Sequence, residues 1–247
     1  KHVSQIYNAK IDHSEVQITS GCNQAFVATV LALAGHGDRI LMMRPCYFNH
    51  ESTLGMLGVG IDYVDCDDDG GLLPNCALID AAIGPQTRAI ALVSPNNPAG
   101  SIYPAPLLAE ILALCQKRGI WLILDETYRD FMPLDMDVPH HLFAKDDWQS
   151  SLIQLYSFSK AYRLTGHRVG AIIGASDLMP EVEKFIDTVT ICPSGLGQRA
   201  ALWGLQNLDD WVEVERQTNL NLAETIRTNF KKMQNKGWRL KGLGAYF

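Results

Sequence analysis

The chain has 247 residues, of which 47% are hydrophobic and 19% charged, so it carries enough apolar side chain for a sizeable core and too much for a disordered tract. With 21 Lys+Arg against 27 Asp+Glu, a formal net charge of −6 and no basic run, its composition argues against a nucleic-acid partner bound through phosphate neutralisation. No stretch approaches the roughly 18 apolar residues that cross a bilayer, Lys1-His2-Val3 begins neither a signal nor a transit peptide, and six cysteines without a C-x-x-C pair suit a reducing cytoplasm.

In chain order, a helix is predicted over 23–33 directly after Ser20-Gly21-Cys22, followed by strands at 39–43, 61–64 and 88–93. A helix over 106–118 is stopped by Gly119. Strands at 121–124, 152–156 and 169–173 follow, and four of these six runs are continuously apolar, as strands buried on both faces are. Helices are then expected over 177–190, 194–208 and 210–235; the last is long, polar and alternating in charge sign, suited to the outside of the molecule. Gly237 ends it, and Trp238-Arg239-Leu240 is expected to begin a strand of a second domain. Short strands alternating with longer amphipathic segments predict an α/β fold. The absence of an initiator Met and the apolar close Gly244-Ala245-Tyr246-Phe247 suggest a piece of a longer protein.

Two motif matches lack the context their chemistry requires. Asp65-x-Asp67-x-Asp69-Gly70 copies the first half of a calcium loop, but its twelfth position is Cys76 where a bidentate Glu is needed, so it reads as an acidic turn after a strand. Gly195-x-Gly197-x-x-Ala200 matches the dinucleotide fingerprint by letter, yet follows Cys192-Pro193 instead of a strand and reads as a glycine-rich helix start. No phosphate-binding G-x-x-x-x-G-K-[ST] loop occurs, and the seven histidines have no metal-ligand spacing, so no metal is expected.

The residues that carry chemistry recur where predicted strands end. Lys160, in Ser157-Phe158-Ser159-Lys160, follows an apolar strand, and Arg168 comes eight residues later with Gly166 between. By itself Lys160 reads either as a solvated surface lysine or as an amine held at a cleft, which imine chemistry requires. Asp125 closes the apolar run of 121–124, either as a turn cap or as the partner of a buried cation at the ligand-binding end of an open α/β sheet, with Tyr128 in the same loop. Asn96-Asn97-Pro98-Ala99-Gly100 at another strand end suits a plain turn. Ser20-Gly21-Cys22-Asn23 leads into a helix N-terminus, which cradles phosphates, and Arg44-Pro45-Cys46-Tyr47 again follows a strand.

The ordered set Ser20-Gly21-Cys22-Asn23, Pro45-Cys46-Tyr47-Phe48-Asn49-His50, Asn96-Asn97-Pro98-Ala99-Gly100, Asp125-Glu126-Thr127-Tyr128 and Ser157-Phe158-Ser159-Lys160, then Gly166-x-Arg168-x-Gly170, resembles the large domain of the fold-type I pyridoxal-phosphate aminotransferases, class I/II, near the aspartate aminotransferase group. The resemblance implies a three-layer αβα sandwich with a mostly parallel mixed sheet. It also implies a cofactor-binding large domain over 1–236 and the start of a truncated small domain over 237–247. Lys160 would hold pyridoxal 5′-phosphate as a Schiff base and carry a proton from the substrate Cα. Asp125 would face the pyridine nitrogen and keep it protonated, supported from behind by His50, which otherwise reads as a helix-start histidine. Asn97 and Tyr128 would bond the cofactor's 3′ oxygen and Tyr47 would stack on its ring. The phosphate would rest on the backbone of Gly21 and Cys22, on Asn23, Ser157 and Arg168, with Ser159 adding to them. Cys22 stands where Ala or Thr is common in that family; because the phosphate contact uses its backbone little is lost, and although a helix N-terminus can depress a thiol's pKa, no function is read for the thiol.

The activity so implied moves an amino group from an L-amino acid to a 2-oxo acid, in a cytoplasmic homodimer whose active site lies at the subunit interface, with no membrane partner. The substrate-carboxylate arginine and the neighbour's aromatic residue would lie outside this chain. The same scaffold also serves C–S β-lyases, decarboxylases and cyclopropane-forming synthases, and the effector domains of some transcription regulators. A nicotinamide-dinucleotide domain rests on Gly195 to Ala200 alone.

Overall fold

The computed structural model describes residues 1–133, 138–145 and 147–247. In chain order its helices and strands are α1 (His2–Ile6), β1 (Val16–Thr19), α2 (Cys22–Leu33), β2 (Arg39–Arg44), α3 (Phe48–Leu57), β3 (Gly60–Asp65), α4 (Cys76–Ala82), β4 (Thr87–Val93), α5 (Ala105–Arg118), β5 (Trp121–Asp125), β6 (Leu152–Ser157), β7 (Gly170–Ile173), α6 (Met179–Val189), α7 (Gly195–Asn207) and α8 (Asp209–Gln234). The seven strands seen among the described residues form one sheet in the order β1-β7-β6-β5-β4-β2-β3. Neighbours from β3 through β6 pair in parallel, and β7 runs antiparallel to both β6 and β1. The sheet is therefore mixed and mostly parallel, as expected.

Strand periodicity divides the core into two layers. Along β2, Ile40 and Met42 point to the face covered by α2, α3 and α6, where they meet Phe26, Leu54, Val182 and Ile186. Leu41 and Met43 point to the opposite face, covered by α4 and α5, and meet Ile79, Ile111 and Leu112. The central strands are buried on both faces, which is why β5 and the 89–93 part of β4 read as unbroken apolar runs and β6 is apolar apart from the buried Gln154 and its closing Ser157. Each fully buried aliphatic side chain in these layers contributes about 1.5–3 kcal/mol of transfer free energy. A third cluster, with Tyr128, Tyr156, Phe158 and Val169, packs under Ala201 of α7 and Val212 of α8. Over its 26 residues α8 buries only Val212 and Ala223, as its polar sequence requires of an outer helix.

Four elements were not expected from periodicity. β1 has four residues at the sheet edge, α1 is a single turn and α4 has seven residues. The buried side of α3 is His50, Thr53 and Leu54, so no apolar stripe marks it. One expectation fails: Trp238-Arg239-Leu240 forms no strand. That segment is instead pinned by Arg239 and Lys241 to Asp69 and Asp68. Beyond it the chain lies against the turn after β4, closely enough that a Cβ on Gly242 would come 2.0 Å from the Ala99 carbonyl oxygen.

Candidate active site

Because β4, β5 and β6 are parallel neighbours, their C-terminal ends open on one edge of the sheet. Val93, Asp125 and Ser157 stand there, on the wall of a cavity of about 170 Å³. Open α/β sheets bind their ligands at this edge. The loops after each strand supply the rest of the lining: Tyr47 after β2, Asn97 after β4, Thr127 and Tyr128 after β5, and Ser159, Lys160, Thr165 and Arg168 between β6 and β7. Cys22 and Asn23 enter from the first turn of α2.

One end of the cavity is built for an anion. Gly21 caps α2 with φ 83°, and the first-turn N–H groups that follow have no partner within the helix. A Cβ on Gly21 would lie 2.0 Å from Arg168 Nη2, and one on Gly170 would lie 2.8 Å from Cys22 N, so glycine at both positions is what lets β7, the guanidinium and the helix N-terminus converge. Arg168 itself adopts the left-handed conformation, φ 50°. Its Nη1 donates to Ser159 Oγ at 3.2 Å and to the Thr165 carbonyl at 3.0 Å. The Ser157 hydroxyl oxygen accepts from Ser159 N at 3.2 Å. A fixed guanidinium, helix amides and two hydroxyls form an anion cradle.

The other end carries a buried carboxylate. Asp125 is 3% exposed. Its Oδ1 accepts from Thr127 N at 2.9 Å, and its Oδ2 faces His50 Nε2 at 3.2 Å and Cys22 Sγ at 3.4 Å. Burial works against the charged form, but the hydrogen bond and charge of His50 together with Thr127 outweigh it and hold Asp125 below the usual carboxylate range. His50 is held in turn, stacked on Phe26 with ring centroids 3.8 Å apart and edge-on to Tyr47 at 5.2 Å. The cavity thus ends in an ionised carboxylate able to accept from a cationic N–H.

Lys160 lines the same cavity, its Nζ 5.5 Å from the Tyr128 ring centroid. The Tyr128 hydroxyl accepts from Asn97 Nδ2 at 3.2 Å, and burial pushes its pKa well up, so it stays a hydroxyl donor at neutral pH. Tyr47 Oη accepts from Asn49 Nδ2 at 2.7 Å. Tyr246 and Phe247 pack edge-on against Tyr128 at 5.4 and 5.0 Å, so the last residues of the chain reach the cavity rim.

The structure brings together all the residues singled out by sequence, with Gly21 behind Arg168 and His50 behind Asp125. Val93, Thr127 and Thr165 also line the cavity and were missed; of these only Thr127, two residues past Asp125, had a signal. Cys22 corrects one expectation. Its thiol pKa is pushed well up instead of down, by burial first and then by the charge of Asp125, because the side chain turns toward the carboxylate. A buried network behind the same loop was also missed. Glu126 Oε2 accepts from Tyr7 Oη at 2.5 Å and Gln154 Nε2 at 2.6 Å, with His140 Nε2 at 3.3 Å, while the Arg129 guanidinium lies 3.9 Å over the Tyr156 ring. Burial opposes the Glu126 charge, but His140 and Arg129 outweigh it and lower its pKa.

The decoy motifs take ordinary structure. Asp67 Oδ1 accepts from Asp69 N at 3.0 Å in the turn after β3, and Gly195 to Ala200 form the first turns of α7, whose cap is Ser194. Among the described residues no cluster of His, Cys, Asp or Glu could hold a metal, and no helix is long and apolar enough to cross a membrane.

Comparison with known proteins agrees with this geometry. A model of the family described as aminotransferase class I and II matches residues 1–246. The aromatic aminotransferase ISS1 of Arabidopsis thaliana is 33% identical over 209 residues, 82% of this chain and 52% of that protein. An aspartate aminotransferase of Sulfolobus acidocaldarius is 24% identical over 99% of this chain and 61% of its own length. Among solved structures, the aspartate aminotransferase of Thermus thermophilus with maleate superposes with a TM-score of 0.88 at 21% identity, covering 99% of this chain and 64% of that one. The chain spans about half to three-fifths of the length of these two relatives.

Proposed function

The chain belongs to the aminotransferase class I and II family, whose members use pyridoxal phosphate, and on that premise we propose that it is the cofactor-binding large domain of a transaminase moving an amino group from an L-amino acid to a 2-oxo acid. The observation that carries this reading is the convergence in one cavity of a lysine amine, an ionised buried carboxylate and an anion cradle. The cofactor's chemistry and the residues present fit: the cradle suits a phosphate dianion, Asp125 suits a ring N–H, and the Lys160 amine lines the same cavity.

When bound, pyridoxal phosphate supplies an aldehyde that condenses with amines and a ring that takes up the electron pair released at the substrate Cα. Arg168, the α2 amides, Ser157 and Ser159 bind the phosphate, with Asn23 beside them, and Gly21 keeps the guanidinium close. Asp125 accepts the ring N–H and, by its charge, keeps that nitrogen protonated; His50 holds the carboxylate from behind. Asn97 and Tyr128 donate toward the ring's oxygen, and Tyr47 packs on the ring face. Lys160 Nζ is the amine that holds the cofactor and, once freed, carries the Cα proton. In this reading residues 1–236 are the large domain and 237–247 the start of a small domain. The enzyme is a cytoplasmic homodimer with its site at the subunit interface; the six unpaired cysteines support the compartment.

The test is an amino-donor screen of the whole protein that carries this chain, loaded with pyridoxal phosphate and followed by the conversion of its absorbance to the pyridoxamine form. Lys160→Ala abolishes that conversion, and borohydride fixes the cofactor on Lys160 in the wild type. Fixation on another lysine overturns the assignment. A loaded protein that accepts no amino acid as donor, but cleaves or decarboxylates one, overturns the reaction.

A further inference from the structure

Asp125 has a third polar neighbour besides His50 and Thr127. Cys22 Sγ lies 3.4 Å from Oδ2, the same oxygen that His50 Nε2 approaches at 3.2 Å, while Oδ1 accepts from Thr127 N at 2.9 Å. The side chains of His50 and Asp125 are 3% and 4% exposed, and Cys22 is 8% exposed. His50 is fixed between Phe26 and Tyr47, so Oδ2 meets two side-chain donors whose positions are set, one of them the thiol. Cys22 is fixed as well, in the first turn of α2 behind Gly21.

Resting on the functional reading above, we propose that Cys22 is a positioning residue: its S–H donates to Asp125 Oδ2 and, with His50, sets the orientation and tempers the basicity of the carboxylate that meets the ring nitrogen of pyridoxal phosphate. A carboxylate with more donors holds its charge at lower basicity and pulls less on a proton shared with a ring nitrogen. The thiol remains a donor across the working range because burial and the carboxylate keep it protonated. A thiol is a weak donor, so the effect is a modest retuning and not a loss of function.

Two measurements test it. In the cofactor-free protein, the rate of Cys22 alkylation by iodoacetamide is followed by mass spectrometry across alkaline pH. Asp125→Asn removes the charge that opposes the thiolate and accelerates alkylation at least threefold, whereas an unchanged rate overturns the contact. In the loaded protein, the ring-nitrogen chemical shift of ¹⁵N-labelled pyridoxal phosphate is compared for wild type, Cys22→Ala and Cys22→Ser. Cys22→Ala moves the signal and Cys22→Ser, which keeps a donor, returns it toward wild type. A signal unmoved by Cys22→Ala, or moved equally by both variants, overturns the positioning role while leaving the functional reading intact. If Cys22→Ala does not fold, Cys22→Val, also without a strong donor, takes its place. A wild-type protein that takes up no pyridoxal phosphate overturns the functional reading and, with it, any role of Cys22 toward the ring.

Discussion

Gly21→Ala tests the cradle at its tightest point. The backbone there has φ 83° and ψ 169°, a region open essentially to glycine alone, and forcing another residue into it costs on the order of 1–3 kcal/mol. The new methyl would also stand 2.0 Å from Arg168 Nη2 and 2.6 Å from Cζ, so the guanidinium must swing away. In the free protein the first effect predominates, and at roughly 2–4 °C per kcal/mol the melting temperature falls by about 5 °C. In the loaded protein the phosphate also loses a charge-assisted hydrogen bond of about 1.5–3 kcal/mol, which weakens cofactor affinity roughly 10- to 100-fold. Melting of the free protein and titration with pyridoxal phosphate by absorbance separate the two effects. Gly195→Ala is the control, since a Cβ there meets nothing within 4 Å and its φ is not positive. If Gly21→Ala binds the cofactor as tightly as wild type, the convergence of Arg168 on the α2 N-terminus is not what holds the phosphate.

The legible parts of this chain are those where one local rule decides. A strand buried on both faces is apolar with at most isolated polar residues such as Gln154, so β4, β5 and β6 are legible to within one residue. Gly119, with φ 65° at the end of α5, marked that helix's stop. The cavity residues were legible for a related reason: each follows an apolar run, and the parallel pairing of β4, β5 and β6 carries all those ends to one edge. What stayed hidden depends on distant partners. α3 buries His50 and Thr53 in place of an apolar stripe, so periodicity does not show the helix; the place of His50 behind Asp125 is legible only through the resemblance that Pro45 to His50 carries. The Glu126 network joins Tyr7 to a residue 119 positions away. Trp238-Arg239-Leu240 has a strand's composition, but ion pairs to the turn after β3 hold it elsewhere. Among the missed helices and strands, α4 is one that a local signal marks, since Asn75 Oδ1 caps it by accepting from Ala77 N at 2.9 Å and Leu78 N at 3.2 Å.

Asp125→Asn keeps the shape of the side chain but removes the charge facing the ring nitrogen. Cofactor is retained and turnover falls about 10²- to 10³-fold, the scale of losing one charge-stabilising group, as steady-state kinetics will read; turnover near wild type removes Asp125 from the chemistry. The two adjacent buried carboxylates also predict the acid response. Asp125 and Glu126 both titrate below their ordinary values, so their contribution to stability is complete above about pH 4.5 and is lost as pH falls through their folded-state values. Denaturant unfolding at a series of pH values from 7 to 3 therefore shows stability falling on the acid side, with no gain from these groups above neutrality. Glu126→Gln removes one of the two proton uptakes. It destabilises the protein at pH 7, where the buried Arg129 loses a counter-charge and Tyr7 and Gln154 lose a charged acceptor, and flattens the acid limb. A variant whose stability falls as steeply with acid as wild type shows that other carboxylates, not the Glu126 network, govern unfolding. In that event the clamp behind the loop that presents Asp125 and Tyr128 rests on the packing of Tyr7 against His140 and Phe143.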